Sequence, residues 1–74
     1  MTPWYYVHSP TLGYLTGHDA NGQPIWIYPL FSGAPLWITN DYYVALRAAR
    51  GRRQYVYRVS DWLLERITPY RQTG

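Results

Sequence analysis

The chain has no cysteine, no lysine and only four acidic residues among its 74. Without cysteine there is no disulfide to stiffen the fold and no thiolate to act as nucleophile or soft metal ligand. A reducing compartment is the natural setting. The four acids are Asp19, Asp41, Asp61 and Glu65, and the histidines are His8 and His18. Proton transfer and nucleophilic attack need groups that hold or exchange protons, and this inventory supplies few. His18 and Asp19 are adjacent in a turn-like stretch, a spacing that suits neither a metal pair on one helix face nor a base with its orienting carboxylate. The glycines at 17, 22 and 33 are scattered and form no phosphate-cradling motif. The reading is non-enzymatic, with no metal and no cofactor. No stretch approaches the roughly 18 apolar residues of a membrane span. The start "MTPWYYVHSP" has neither the basic region nor the apolar run of a secretory signal. Cytoplasmic residence, in a host cell, is the expectation.

At this length the chain forms one small domain, residues 1–74, with 69–74 expected as a frayed tail. A domain so small buries only about 60% of its unfolded surface, so its stability margin is thin. What the chain has in excess is aromatic: 19% of residues, with nine Tyr and four Trp against one Phe. Tyr and Trp pair an apolar face with a polar tip and favour half-wet positions. A thin core cannot bury them all, and exposed clusters of them mark binding faces. Their preference for strands is the plainer account of the same excess. The second excess is cationic. Net charge is +3 and the sequence pI about 9.5, carried by seven arginines. Arginine presents a rigid fork of donors suited to carboxylate, phosphate and aromatic faces; a GC-rich coding sequence would produce the same bias.

The pattern of elements predicts an α+β fold. "WYYVH" (4–8) is a strand; Pro10 and Gly13 turn the chain back into "YLT" (14–16). Asn21-Gly22 is a strong hairpin signal, and "IWIY" (25–28) follows as a third strand. "LWI" (36–38) is a short extended run. Thr39 or Asn40 can then cap a helix in which Tyr42, Ala45, Leu46 and Ala49 follow the spacing of a buried stripe, with Gly51 as its stop. "QYVYRV" (54–59) alternates as a last strand, and Ser60 can cap a short helix ended by Thr68-Pro69. The order is β-β-β-(β)-α-β: a small, mainly antiparallel sheet with one main helix packed on it and a short C-terminal helix.

One constellation carries chemistry. "LRAARGRRQYVYRV" (46–59) holds five arginines and no acid. On the helix Tyr43, Arg47 and Arg50 stand at i, i+4 and i+7; Arg52 and Arg53 follow the stop, and Arg58 lies on the last strand. The candidate partner-binding residues are therefore Tyr43, Arg47, Arg50, Arg52, Arg53 and Arg58. Arginines near a helix C-terminus also complement its dipole, at about 0.3–1 kcal/mol each, but four within seven positions exceed that need. Such a ridge suits bidentate pairing with an acidic protein surface around Tyr/Trp anchors. The alternative is a nucleic-acid-binding accessory protein using the same ridge on phosphates. A third reading is a homodimer that pairs a bare aromatic sheet face and leaves the arginines out.

The string "YYVHSPTLGYLTG…GQPIWIY…GAPLWITNDYYVALRAA…QYVYRV" resembles small phage and mobile-element proteins. The residues carrying the likeness are Val7, Pro10, Gly13, Tyr14, Leu15, Trp26, Ala34, Trp37, Thr39 and Ala45, over about residues 4–59. Small, cysteine-free proteins of that kind include anti-CRISPR and other anti-defence inhibitors. The resemblance implies a non-enzymatic inhibitor that blocks a host nucleoprotein complex, such as a CRISPR effector, by occluding its acidic surface. The arginine ridge lies outside the shared pattern.

Overall fold

The computed structural model describes residues 2–72. It contains six strands and two short helices. These are β1 (Tyr5–Ser9), β2 (Gly13–His18), β3 (Pro24–Ile27), β4 (Ala34–Thr39), α1 (Tyr42–Ala48), β5 (Tyr55–Arg58), α2 (Asp61–Arg66) and β6 (Ile67–Gln72). All strands join one curled, mixed sheet in the order β3-β2-β1-β4-β6, with β5 against β1.

Strand β1 is the hub. Tyr5 pairs with both Thr39 of β4 and Arg58 of β5, and His8 pairs with both Tyr14 of β2 and Tyr55 of β5. One edge of β1 is therefore taken along its length by β5, while β2 and β4 share the other. These ladders are antiparallel, as the sequence predicts; β4 and β6 run parallel.

Local chemistry sets the turns. Ser9 Oγ accepts from the N–H groups of Thr11 and Leu12, closing the β1–β2 turn. Gly13 follows at φ 95°, and a Cβ there would overlap the Ile27 carbonyl oxygen. Only glycine satisfies both demands. In the β2–β3 hairpin Asp19 Oδ1 accepts from Asn21 N–H at 2.8 Å and Gln23 N–H at 2.9 Å, and Gly22 takes φ 78°.

Both helices begin as capped turns. Ser60 Oγ accepts from Leu63 N–H at the start of α2, the cap expected there. At α1 the cap is Asp41, whose carboxylate accepts from Tyr43 and Val44 N–H. Thr39, one of the two residues expected in that role, instead accepts from Asp41 N–H and holds the cap in place. Gly51 is not a left-handed stop: α1 ends at Ala48 with Ala49 as its C-cap, and the left-handed residue in the following turn is Arg53, φ 59°.

The core has one cluster on each face of the sheet. On one side Val7, Leu15 and Trp37 are buried, with Trp26, Val44, Ala48, Ala49 and Val56 packed around them. On the other, Leu36, Ile38, Leu63 and Ile67 are buried, flanked by Trp4, Tyr6, Tyr14, Leu30, Val59 and Leu64. Alternation along β4 supplies both: Leu36 and Ile38 face α2, and Trp37 faces α1.

Two expectations need correction. The buried stripe of α1 is Val44, Ala45, Ala48 and Ala49, whereas Tyr42 and Leu46 are 46% and 43% exposed. Large indole rings already fill the sheet surface beneath α1, so the helix meets it with small side chains, and Tyr42 leans edge-on against Tyr5 at 5.3 Å. The expected tail is the second. Ile67–Gln72 form β6 beside β4, and only Thr73 and Gly74 of that tail lie outside the described residues. α2 ends at Arg66, before the expected Thr68-Pro69 stop, and Pro69 lies within β6, where its missing N–H is tolerated because β6 is an edge strand.

Candidate functional site

Helix α1 and the turn after it carry five of the six candidate residues. Tyr43 is 70% exposed, its ring 6.1 Å from that of Tyr42. One turn on, Arg47 and Arg50 line a groove of about 680 Å³ together with His18, Trp37, Val44 and Leu46. The sheet builds that groove's floor: Trp37 projects from β4 toward α1, and the ring of His18, at the end of β2, meets it edge-on at 5.7 Å. Arg50 Nη2 donates to the carbonyl oxygen of Gly22 at 3.2 Å, tying the helix end to the β2–β3 hairpin. Arg52 and Arg53 stand exposed in the α1–β5 turn. Arg58 belongs to a different part of the surface: it ends β5 and lines two other grooves, one with Trp4 and Asp61, the other with Tyr6 and Trp62.

The arginines lack carboxylate partners among the described residues. The reason lies in where the acids go. Asp19 closes a hairpin and Asp41 caps α1, each satisfying backbone N–H groups, and Asp61 lies in the first turn of α2. Little negative charge is left to neutralise the ridge. Arg47 is exposed with no internal carboxylate among the described residues, and Arg50 spends only one N–H on the Gly22 carbonyl, so both keep donors for pairing with an external anion.

Leu46 is the residue that sequence spacing hid from the site. Placed on the buried stripe by helical periodicity, it lines the groove beside Arg47 instead. His18 and Trp37 were also missed, because a hairpin end and a strand meet α1 only through the fold. The exposed face that results is Tyr42, Tyr43 and Leu46 set among Arg47 and Arg50.

A second aromatic group sits on the opposite face. Tyr14, Tyr6 and Tyr57 form a row of near-parallel rings, with centroids 6.0 and 5.5 Å apart and interplanar angles of 29° and 26°. His8 inserts against Tyr14 at 4.6 Å. Burial, reinforced by the neighbouring Tyr14 and Tyr57 phenols, pushes the Tyr6 phenol above its ordinary pKa. Its signal was present in the alternation of "YYVH" and "QYVYRV", which puts Tyr6, His8, Tyr55 and Tyr57 on one side.

Among the described residues, no three His, Cys, Asp or Glu side chains gather where a metal ion would be held, and no helix is long and apolar enough to cross a membrane. No protein-family model, curated protein or solved structure matches the chain.

Proposed function

We propose that this protein is a non-enzymatic binding module that acts by occlusion, its α1 face covering an acidic surface of a larger protein or nucleoprotein assembly. The observation that carries the reading is the combination on α1: exposed Tyr42, Tyr43 and Leu46 beside Arg47 and Arg50, with no carboxylate of the described chain pairing those arginines. Tyr and Arg are the residue types enriched where binding energy concentrates, because each joins a large contact area to directional hydrogen bonding. A helix seated on its sheet by Val44 and its alanines already has its backbone ordered, so the freedom lost on association is chiefly that of the exposed side chains.

The resemblance to anti-CRISPR and related anti-defence proteins gives this module a class of target: a host complex whose own surface is acidic where it must receive a nucleic acid or a protein partner. Arg47, Arg50, Arg52 and Arg53 would pair with its carboxylates, with Tyr43 as the aromatic anchor, while Arg58, at other grooves, takes no part. Blocking such a surface needs no chemistry, only affinity.

Capture from a host lysate tests this. Tagged protein is used as bait with and without nuclease, and the recovered proteins are identified by mass spectrometry. A stoichiometric protein that survives nuclease is the expected result. Recovery that disappears with nuclease would move the ridge from carboxylates to phosphates.

A further inference from the structure

The sheet face away from α1 is covered only in part. Helix α2 lays Leu63 over Leu36, Ile38 and Ile67, at the β4–β6 end, and leaves the aromatic row on β1, β2 and β5 beside an open groove of about 550 Å³. Tyr14 contributes its floor, Tyr28 and Phe31 come from the loop after β3, and Trp62 and Arg66 come from α2. Arg58 completes the rim, and no Asp or Glu lines it.

We infer that this groove binds single-stranded nucleic acid, the bases stacking on its exposed rings and the phosphates meeting Arg58 and Arg66. Three observations meet here. The rings are accessible: Trp62 is 64% exposed, and Tyr28 and Phe31 are exposed as well. The Arg66 guanidinium lies over the Trp62 ring at 5.3 Å, which holds the cation at the groove and offers a second flat surface for a base. The charge is one-sided, two guanidiniums and no carboxylate, which complements a phosphate backbone. A platform of aromatic faces bordered by arginine is the arrangement that holds unpaired strands with little base preference. A proline-rich peptide would use the same rings, but it would leave both guanidiniums without a counter-charge. This site shares no ring or cation with the groove formed by Arg47 and Arg50, so it stands or falls apart from the α1 reading.

The test is fluorescence anisotropy with a labelled oligothymidylate of about 12 nucleotides, a length within the usual single-strand site sizes, beside the same oligonucleotide in duplex form. The expected result is preferential single-strand binding at about 50 mM salt, with a log–log salt slope of roughly −1.4 for two neutralised phosphates. Trp62→Ala and Tyr28→Ala should each weaken binding about fivefold or more. Arg66→Gln should reduce the slope by about 0.7, while Arg47→Ala on the other face changes affinity less than about twofold. Circular dichroism checks that each variant folds. Quenching of the wild-type tryptophan fluorescence by unlabelled oligonucleotide reads the same contact without any substitution. Absence of binding at low salt, wild-type affinity in Trp62→Ala and Tyr28→Ala, or loss on Arg47→Ala would each overturn the proposal. So would a proline-rich peptide that binds the groove when the oligonucleotide does not.

Discussion

The two faces of the sheet carry helices of similar length, seven residues in α1 and six in α2, yet they are covered by opposite means. α1 meets its face with Val44, Ala45, Ala48 and Ala49, whose short side chains let the helix lie close and turn its Tyr, Leu and Arg side chains outward. α2 meets the other face through larger side chains, buried Leu63 with Leu64 beside it, and shelters only part of it. On the first side the helix carries the exposed Tyr, Leu and Arg side chains; on the second the sheet itself stays available. Where a domain has more aromatic area than a thin core can bury, the size of the residues at each helix–sheet contact decides which element displays the surplus.

The strongest way to break this comparison is to empty one side of β4, the strand that serves both faces. β4 feeds one side with Trp37 and the other with Ile38. Ile38→Ala should cost about 2–5 kcal/mol, comparable with the whole stability of roughly 5 kcal/mol available to a domain of this size. Urea denaturation followed by circular dichroism should therefore find the variant largely unfolded. Substitution beneath α1 sharpens the contrast. Ala45 is fully buried, so Ala45→Leu should destabilise by about 1–3 kcal/mol through overpacking and lift the helix from its bed. A leucine at exposed Glu65 on α2 should do neither, and the same denaturation series compares them.

Smaller effects report on single contacts. Ser60→Ala removes the cap on α2 and should cost about 1 kcal/mol, read as a lower urea midpoint with an unchanged slope. Tyr6 gives the aromatic face a pH signature. Because its phenol is held above the ordinary value in the folded protein, the folded state favours the neutral form. The associated stability is fully present below the unfolded tyrosine pKa of about 10 and is lost as pH rises through the folded value. Urea midpoints measured across that alkaline range should fall, and Tyr6→Phe should fall less, since it has no phenol to ionise.

Much of the architecture was legible because it is written in local chemistry. Asn21-Gly22, Gly13 and Ser60 each satisfy a short-range demand, and the elements they delimit form where the sequence places them. What was not legible depends on distant partners. "ITPYRQ" has the β-branched start of a strand, but nothing near it in sequence states that β4 offers a free parallel edge. Helical spacing correctly located α1 yet misplaced Tyr42 and Leu46, because the indoles that fill the sheet beneath it come from β3 and β4. The candidate arginines were visible as a run. Their division into Arg47 and Arg50 at one groove and Arg58 at others follows from the β5 turn and could not be read from spacing.

The most direct test of the central claim is the affinity of the captured partner for wild-type protein and for the double variant Arg47→Glu/Arg50→Glu, with Trp62→Ala as the control from the opposite face. The α1 account predicts at least a tenfold loss for the charge reversal, since like charges then face one another across the contact, with unchanged circular dichroism and near-native affinity for Trp62→Ala. Unchanged partner affinity in the folded double variant would contradict it.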